Sequence, residues 1–491
     1  MSETYQLFID GKWRPSASSE TIPAVNPFNQ EVHAHIPVAT PADVADAVAA
    51  ARRAAPAWGR ALPGARAKLL NALADLIDGD AARLALLETT DNGKVIRETG
   101  NQMGYAARLF RYYASWADKV TGDVVPLDVA DTAGLAVREP FGVVACVTAW
   151  NSPVAILCNT MPAALAAGNC VIVKPSEHAS VTTLEIARLV EKAGFPAGVF
   201  QVVTGAGEVG AALTSNPGID KISFTGSPGV GRAIAGAGAA NLKPVCLELG
   251  GKSPNIVFDD CDFERALIGA LAGIFGATGQ TCIAGSRLLV QRGVYDRMVE
   301  GLAARAGQIR MGDPRAPETE MGTAANEPQF NKILSFIEAA KGDGARLVAG
   351  GGRADGPGLE KGFFVQPTIF ADVRNDMKVA AEEIFGPVLS IIPFDDEDEA
   401  VQIANDTPYG LASGVWSQDI DRCMRMMRAI KSGVVWVNTY RQAAPQLPFG
   451  GMKDSGYGRV RGHAGILEWL QTKTVFIDYS GDRRDPFSMK F

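Results

Sequence analysis

The sequence predicts an α/β protein with more than one domain, and three observations lead to this prediction. At 491 residues the chain exceeds the roughly 100 to 200 residues typical of one domain. From residue 143 onward, short apolar runs alternate with segments of helical periodicity. A second series of the same kind begins near residue 251. This alternation is typical of parallel sheets covered by helices, so we expect two α/β domains in succession.

The amino-terminal third is predicted to be helical. Thr40, followed by Pro41 and Asp43, has the residue types of a helix start. The stretch ADVADAVAAARRAAPAW then places apolar residues at helical spacing. We therefore expect a helix directly after Thr40.

The strands of the first α/β series are predicted from four apolar runs: VVACVTAW, CVIVKPS, VFQVVTG and KISFTG. Between the second and third lies SVTTLEIARLVEKAGFP, a helix that Gly194 and Pro196 are expected to end. In the second series the predicted strands are SPNIVF, SRLLVQ and GVVWVN. Parallel pairing within each series is expected.

Composition excludes several classes of function. The chain has 47% hydrophobic and 21% charged residues and a net charge of −7, which does not favour binding to nucleic acid or an anionic membrane. The start MSETYQLFIDGKW lacks the features of a secretion signal, and no run reaches the roughly 18 apolar residues of a membrane span. We therefore expect a cytoplasmic protein. The seven cysteines show no CxxC or Cys/His clustering, so neither a disulfide framework nor a metal site is predicted.

Two glycine-rich turns are candidates for binding a dinucleotide. GAGEVG at 205–210 follows a predicted strand, but a plain strand-to-helix turn explains its glycines equally well. FTGSPGVG at 224–231 is the better candidate. There Gly226 ends a strand and Ser227 precedes a helix, whose N-terminus offers N–H donors and a positive dipole end to phosphate. A simple capped turn remains the alternative.

Polar residues at predicted strand ends are further candidates. In VKPSE, Lys174 and Glu177 follow a parallel strand, where open α/β sheets bind ligands, although such residues are more often solvated. Glu248 lies inside the apolar strand CLELGGK, so it is either a base with a raised pKa or a paired structural carboxylate. In TAWNSP, the amide of Asn151 either donates to an oxyanion or caps the next helix.

Cys282 lies in GATGQTCIAGSR, among small and flexible residues instead of an apolar run. Glycines at 276, 279 and 285 let the backbone approach a ligand closely. A buried structural thiol normally has apolar neighbours, which makes Cys282 a candidate for chemistry.

Together, these motifs resemble the aldehyde dehydrogenase superfamily in their order and spacing. The motifs are WN, KPSE, FTGS, LELGGK, GQTCIAGSR, EEIFGP and PFGGMKDSG, and the likeness extends from LFIDGKW to residue 459. It implies a Rossmann-type nucleotide-binding domain at 1–119 and 141–250 and an α/β catalytic domain at 251–453. It also implies a small β oligomerisation element at 120–140 and 471–491, and hence a homodimer or homotetramer.

The resemblance implies the reaction and its catalytic residues. Cys282 matches the family's nucleophile, whose thiolate attacks the aldehyde carbon. Asn151 and the Cys282 backbone N–H would hold the oxyanion. Glu248 would activate the water that hydrolyses the resulting thioester, giving a carboxylic acid and reduced NAD.

The resemblance also implies where the cofactor and substrate bind. Seven residues would contact the cofactor: Trp150, Lys174, Glu177, Gly226, Ser227, Glu383 and Phe385. Glu177 would repel a 2′-phosphate, so NAD is expected over NADP, although NADP stays possible. Four residues would contact a small aldehyde that is polar or functionalised: Ser152, Asn159, Arg441 and Phe449.

Several positions depart from the common family pattern. Ser152, Asn159 and Thr160 stand where many members have an aromatic residue and a Trp-Lys pair, so a wider and more polar pocket mouth is expected. Thr160 and Val460 replace a Lys/Glu pair linked to proton exit in some relatives, which predicts another exit route.

Three rival functions are weaker. Glu248 argues against transfer of the acyl group to coenzyme A, and the joint presence of Cys282, Glu248 and Asn151 argues against a non-catalytic protein. A cysteine hydrolase needs a histidine beside the thiol, and the histidines at 33, 35, 178 and 463 lie in no such motif.

Overall fold

The structure is a computed structural model that describes residues 2–481 and 487. Residues 2–37 form mainly short strands, so the helical prediction for the amino-terminal third is wrong there. These strands are β1 (Glu3–Thr4), β2 (Leu7–Ile9), β3 (Lys12–Arg14), β4 (Thr21–Val25) and β5 (Val32–Pro37). They escaped prediction because strands this short show too little alternation. In addition, β1 and β2 pair with β5 and β10, which are distant in sequence.

The remainder of this third is helical, as predicted. Its helices are α1 (Pro41–Gly59), α2 (Pro63–Gly79), α3 (Ala81–Asn92) and α4 (Ile96–Ala114). Thr40 caps α1: its hydroxyl accepts from the backbone N–H of Asp43 at 3.2 Å, and the Asp43 carboxylate accepts from the backbone N–H of Thr40 at 2.9 Å. This reciprocal pair satisfies two N–H groups that would otherwise lack partners, and it confirms the predicted helix start.

The first α/β series begins after two further strands. In chain order the elements are β6 (Asp123–Val125), β7 (Thr132–Pro140), β8 (Val143–Val147), α5 (Pro153–Ala167), β9 (Cys170–Lys174), α6 (Val181–Ala193), β10 (Phe200–Val202), α7 (Gly207–Ser215), β11 (Lys221–Thr225), α8 (Pro228–Ala240) and β12 (Val245–Glu248). Gly194 ends α6 in the left-handed conformation at φ 85°, as the sequence predicted.

The second series supplies the other large sheet. Its elements are β13 (Pro254–Val257), α9 (Phe263–Phe275), β14 (Arg287–Gln291), α10 (Tyr295–Ala306), α11 (Glu327–Gly342), β15 (Arg346–Ala349), β16 (Thr368–Ala371), α12 (Lys378–Ala381), β17 (Val388–Phe394), α13 (Glu397–Asn405), β18 (Tyr409–Gly410), β19 (Ala412–Trp416), α14 (Ile420–Ala429) and β20 (Val434–Val437). The chain then forms β21 (Met452–Lys453), β22 (Gly456–Tyr457), α15 (Gly462–Leu467) and β23 (Leu470–Asp478).

Two mostly parallel sheets organise the described chain and confirm the α/β class. One has the order β22-β12-β11-β8-β9-β10-β2-β3, with five central parallel strands and antiparallel strands at its edges. The other has the order β15-β16-β17-β14-β13-β19-β20 and is parallel except for β15. The central strands are buried throughout, as expected for sheets with helices on both faces.

A third, antiparallel sheet joins β23, β7 and β6 in that order. β23 pairs with β7 over nine residues, from Leu470 opposite Pro140 to Asp478 opposite Thr132. Apart from Leu470, the sheet lies within the two segments expected to form the oligomerisation element, 120–140 and 471–491. Residues 482–486 and 488–491 of the second segment fall outside the described residues. In the described part of the chain, no helix is both long and apolar enough to span a membrane.

Candidate active site

The parallel sheet of the first series brings four chain segments to one edge. Because β8, β9, β11 and β12 all run in the same direction, their carboxyl ends lie together. Trp150 and Asn151 follow β8, Lys174 ends β9, Ser227 follows β11, and Glu248 ends β12. The predicted strand-end residues therefore share one edge of this sheet.

Cys282 is brought toward that edge by a tight turn after α9. A 3₁₀ turn at Gly276–Gly279 has left-handed backbone at Ala277 (φ 52°) and Thr278 (φ 56°). At Gly279 (φ 68°) an added Cβ would lie 2.0 Å from the carbonyl oxygen of Gly386, so only glycine fits. Gln280 then fixes the loop, donating to the Thr323 carbonyl at 3.0 Å.

These segments enclose a cavity of about 570 Å³. All three predicted catalytic residues, Cys282, Glu248 and Asn151, line it. So do nine of the eleven predicted binding residues: Trp150, Gly226, Ser227, Glu383, Phe385, Ser152, Asn159, Arg441 and Phe449. Lys174 and Glu177 are not among the described residues of its wall.

Asn151 faces the cysteine loop. Its side-chain amide donates to the carbonyl oxygen of Gln280 at 2.9 Å, two residues before Cys282. Ser152, not Asn151, is the N-cap residue of α5, and it makes no side-chain capping bond. The capping alternative for Asn151 is therefore wrong. An amide group has two N–H bonds, so one remains available for an oxygen atom near Cys282.

A buried lysine contacts the backbone of Asn151 and the side chain of Ser152. The ammonium of Lys94 donates to the backbone oxygen of Asn151 and to the hydroxyl of Ser152, both at 2.5 Å. Lys94 follows α3, which also carries the buried carboxylate Glu88. Burial lowers the pKa of Lys94, and the charge of Glu88 opposes that shift. The Ser152 hydroxyl is thus occupied by Lys94, and it adds less polarity to the pocket mouth than the sequence suggested.

Glu248 is buried and its carboxylate has no partner. It is 6% exposed, and neither carboxylate oxygen accepts a hydrogen bond from the described residues. Burial raises its pKa well above the ordinary value, while the charges of Arg461 and Arg459 oppose the shift. A structural carboxylate is normally paired, so the observed geometry contradicts that alternative. Once ionised, a carboxylate in this setting is a stronger base than one in water.

The Cys282 thiol is held in its neutral form. Burial raises its pKa to about 12, and the negative charges of Glu383 and Glu248 add to the shift. The thiolate, which is the nucleophilic form, is therefore scarce before a reaction begins. Attack on a substrate therefore requires the thiol to lose its proton as the new bond to sulfur forms.

One half of the cavity, which we call the cofactor half, is suited to a dinucleotide. The rings of Trp150 and Phe385 meet edge to face with their centroids 5.3 Å apart. Ser227 caps α8 by accepting from the N–H of Val230 at 3.5 Å, so the helix N-terminus faces this wall. At Gly250 an added Cβ would lie 2.1 Å from Glu383 Oε2. The missing side chain leaves room for the carboxylate of Glu383, a group that can accept hydrogen bonds from hydroxyls.

Lys174 and Glu177 form a separate pair on the same sheet edge. The ammonium of Lys174 is 3.6 Å from a carboxylate oxygen of Glu177. Although burial raises the pKa of Glu177, the charge of Lys174 holds it below the ordinary value. Lys174 is 4% exposed, so it is not the solvated surface residue that the sequence left open as the alternative.

The opposite half of the cavity, which we call the substrate half, contains residues that the sequence did not indicate. Among them are Gln102 and Tyr105 on α4 and Arg461 beside α15. The cofactor half likewise gains Gln329 and Lys332 from α11. None belongs to a recognised motif, and only the periodicity of α4, with polar residues between apolar ones, offered a signal.

The fold and the cavity define a class of enzyme. A partly exposed cysteine, an amide donor and a carboxylate without a hydrogen-bond partner among the described residues line one cavity, beside a sheet edge suited to a dinucleotide. This is the arrangement of an oxidoreductase that forms a covalent intermediate. No histidine is among the described residues of the cavity wall, which removes the cysteine hydrolase alternative. His33 instead lies 3.3 Å from the carboxylate of Asp91, and His463 stacks on Trp116.

Comparison with known proteins identifies the family. The model of the aldehyde dehydrogenase family matches residues 13–475, and the chain belongs to this family. The chain is 45% identical, over 99% of its length and 100% of the relative's, to (Z)-2-((N-methylformamido)methylene)-5-hydroxybutyrolactone dehydrogenase of Acinetobacter baylyi. It is 41% identical to betaine aldehyde dehydrogenase of Bacillus subtilis, covering 97% of each chain.

A solved structure is similar over almost the whole chain. It is a point mutant of betaine aldehyde dehydrogenase from Staphylococcus aureus, in complex with NAD+ and with a BME-modified cysteine. The TM-score is 0.97 at 38% identity, and the match covers 99% of each chain. The α/β fold inferred from the sequence is therefore confirmed.

Proposed function

We propose that this aldehyde dehydrogenase oxidises a polar or functionalised aldehyde to its carboxylic acid, with NAD as the electron acceptor. The observation that carries the proposal is the arrangement of Cys282, Asn151 and Glu248 around one cavity. Glu248 is the unpaired base, Asn151 the donor, and Cys282 the nucleophile. NAD is supported by the cofactor half described above and by the NAD+ complex of the Staphylococcus aureus relative.

In the first step, the sulfur of Cys282 bonds to the aldehyde carbon while its proton passes to a base. We propose that water in the cavity accepts this proton, which leaves the Glu248 carboxylate available as the base of the last step. The carbonyl oxygen becomes an oxyanion. The free amide N–H of Asn151 and the backbone N–H of Cys282 would stabilise it, and a preorganised donor of this kind contributes about 3 to 4 kcal/mol.

Bound NAD supplies the acceptor for the hydride that leaves the thiohemiacetal carbon, which becomes a thioester on Cys282. Trp150, Gly226, Ser227, Glu383 and Phe385 would hold the cofactor in the cavity. Lys174 and Glu177 would hold its adenosine ribose at the neighbouring strand end.

In the last step, Glu248 takes a proton from water, which attacks the thioester carbon. The C–S bond breaks, the acid leaves, and Cys282 regains its proton. Thr160 and Val460 both lie in the cavity wall, and the Thr160 hydroxyl donates to the Leu157 carbonyl at 3.1 Å. Neither can relay a proton as a Lys/Glu pair would, so we propose that protons leave through water in the cavity.

The preference for NAD over NADP follows from Glu177. Its carboxylate accepts hydrogen bonds from free ribose hydroxyls and repels a 2′-phosphate. The charge of Lys174 keeps this carboxylate ionised, which strengthens both effects.

We further propose a division into a nucleotide-binding domain (1–119 and 141–250), a catalytic domain (251–453) and an oligomerisation element (120–140 and 471–491). Exposed apolar side chains on the β6–β7–β23 sheet support this role: Phe476 is 67% and Val124 79% exposed. An edge strand with such residues is suited to pair with a second subunit in a homodimer or homotetramer. A cytoplasmic location is supported by seven unpaired cysteines.

The proposed function is tested by following NADH formation with aliphatic, aromatic and carboxylated aldehydes, with and without coenzyme A. We expect oxidation without coenzyme A, and a free carboxylic acid as the product. Absolute dependence on coenzyme A would instead identify an acylating enzyme, and absence of NADH with every aldehyde would refute the proposal.

A further inference from the structure

Arg461 has an unusual backbone conformation for a residue with a side chain. It lies at φ 62° and ψ 170°, directly before α15. This region is almost restricted to glycine, and strained residues of this kind cluster at active sites and ligand-binding positions. Arg441, which also lines the cavity, has φ 62° as well. The fold therefore maintains two arginines at strained positions in the same wall.

The guanidinium of Arg461 belongs to the substrate half of the cavity. Its Cζ is 4.4 Å from the centroid of the Phe449 ring, and its Nη1 donates to the Tyr105 hydroxyl at 3.4 Å. Arg461, Phe449 and Tyr105 all line the cavity. Backbone bonds between Phe449 and Val460, at 2.7 and 2.8 Å, hold the two segments together.

Much of the hydrogen-bonding capacity of Arg461 is unused. Its Nε is buried and has no partner among the described residues. A guanidinium has five N–H donors in a flat fork that matches the two oxygens of a carboxylate. Arg441 is partly engaged, because its Nη1 donates to the Ala272 carbonyl at 3.1 Å. Nearby, the buried Asn159 Oδ1 also lacks a partner.

The charges of the cavity are unevenly distributed. Its described charged residues are Glu248, Lys332, Glu383, Arg441 and Arg461. Lys332 and Glu383 belong to the cofactor half, and Glu248 is assigned to the chemistry. The substrate half is left with two arginines and no carboxylate of its own. Such a wall attracts an anion and repels a cation such as betaine aldehyde, which bears a quaternary ammonium.

From this geometry we propose that Arg461, assisted by Arg441, selects aldehydes that carry a carboxylate at the end remote from the aldehyde carbon. This inference rests on the proposed function and specifies its substrate class. Phe449 holds the guanidinium by stacking, and Tyr105 orients it through Nη1. The unpartnered N–H groups then receive the carboxylate oxygens of the substrate.

The wild-type enzyme provides the first test. Succinic, glutaric and adipic semialdehydes are each compared with the alkanal of the same chain length, which is butanal, pentanal and hexanal, respectively. For at least one pair, we expect kcat/KM for the semialdehyde to exceed that for the alkanal by about tenfold or more. The methyl ester of that semialdehyde and betaine aldehyde should both be poor substrates. If betaine aldehyde is preferred, the inference fails while the proposed function stands. If the alkanals are preferred, the inference fails together with the polar substrate class of the proposed function, and only NAD-linked aldehyde oxidation stands. If no aldehyde is oxidised, the proposed function fails as well.

The second test uses Arg461→Gln and Arg461→Lys. We expect Arg461→Gln to lower the ratio of kcat/KM for the semialdehyde to that for the alkanal by about 10- to 100-fold, mainly through KM, because a charged hydrogen bond is lost. Arg461→Lys should recover part of the ratio. The matched control is Arg297→Gln, since Arg297 also stacks on a phenylalanine, 3.7 Å from the Phe263 ring, but lies outside the cavity wall.

A different result would assign Arg461 to the chemistry. Its charge opposes the rise in the pKa of both Glu248 and Cys282. If Arg461 acted only through those groups, Arg461→Gln would lower kcat for semialdehyde and alkanal by the same factor and leave their ratio unchanged. That outcome would overturn the inference.

Discussion

The two halves of the cavity are built in different ways. The cofactor half consists largely of short motifs in which neighbours in sequence are neighbours in space, such as Gly226 and Ser227 between β11 and α8. The substrate half combines helices and loops that are far from each other in the chain. Tyr105 lies on α4 and Asn159 on α5, whereas Phe449 and Arg461 lie in two loops near the carboxyl terminus. The residues proposed to bind the cofactor therefore lie largely in local turns. The residues proposed to select the substrate are brought together only by tertiary packing. Substitutions in the cofactor half should change cofactor preference, and substitutions in the substrate half should change aldehyde preference. Substitutions of Cys282 and Glu248 should affect the reaction with every cofactor and aldehyde.

The largest expected effect is that of Cys282→Ala, where the two halves meet. Removing the nucleophile should abolish aldehyde oxidation, whereas NAD binding, measured by calorimetry, should change little, since the side chain is not part of the cofactor half. Cys261→Ala is the matched control, because Cys261 is the other cysteine of intermediate exposure. Retention of near-wild-type activity in Cys282→Ala would refute the assignment.

Glu248→Gln should have the next largest effect and should separate the two steps of the reaction. Loss of the base is expected to slow the steady state by about 10²- to 10⁴-fold. Because water, and not Glu248, is proposed to take the thiol proton, a burst of NADH near one equivalent per active site should precede this slow phase.

The same residue predicts a pH dependence. Since the pKa of Glu248 is raised, the wild-type deacylation rate should rise with pH as this carboxyl loses its proton. In Glu248→Gln that rise should be absent. Stopped-flow measurement across the pH range checks both points, and wild-type turnover in the variant would make Glu248 a structural residue.

A smaller effect is expected from Glu177→Gln, which alters only the cofactor half. Without the carboxylate, Lys174 is free to attract a 2′-phosphate, so the ratio of NAD to NADP efficiency should fall by about tenfold. The relative rates with different aldehydes should stay the same. Glu264→Gln, an exposed carboxylate on α9, serves as the control. An unchanged cofactor ratio would show that Glu177 has no part in nucleotide selection.

The contrast between the halves also explains what the sequence could predict. Thr40 and Asp43 marked a helix start, and Ser227 a capped turn, because these interactions join residues only three positions apart. Cys282 and Glu248 were identifiable because their sequence surroundings are unusual for their residue types. Local features of this kind can be predicted from the sequence without a structure.

Arg461 shows why the remainder was not predictable. In the stretch GRVRGH it has the composition of a solvated loop, and nothing nearby indicates a cavity. Only the pairing of Val460 with Phe449 and the position of Tyr105 on α4 place it in the wall. Two of the strands were missed for the same reason, because their partners are distant: β1 pairs with β5, and β2 pairs with β10.

The central claim is that both halves serve one covalent intermediate on Cys282, and mass spectrometry of Glu248→Gln tests it most directly. The variant is mixed with NAD and a substrate aldehyde, quenched with acid during the slow phase, and digested. We expect the peptide containing Cys282 to gain the mass of the acyl group, and we expect no such gain in the corresponding peptide of Cys282→Ala. An unmodified Cys282 peptide, at a time when one equivalent of NADH has formed, would contradict the account.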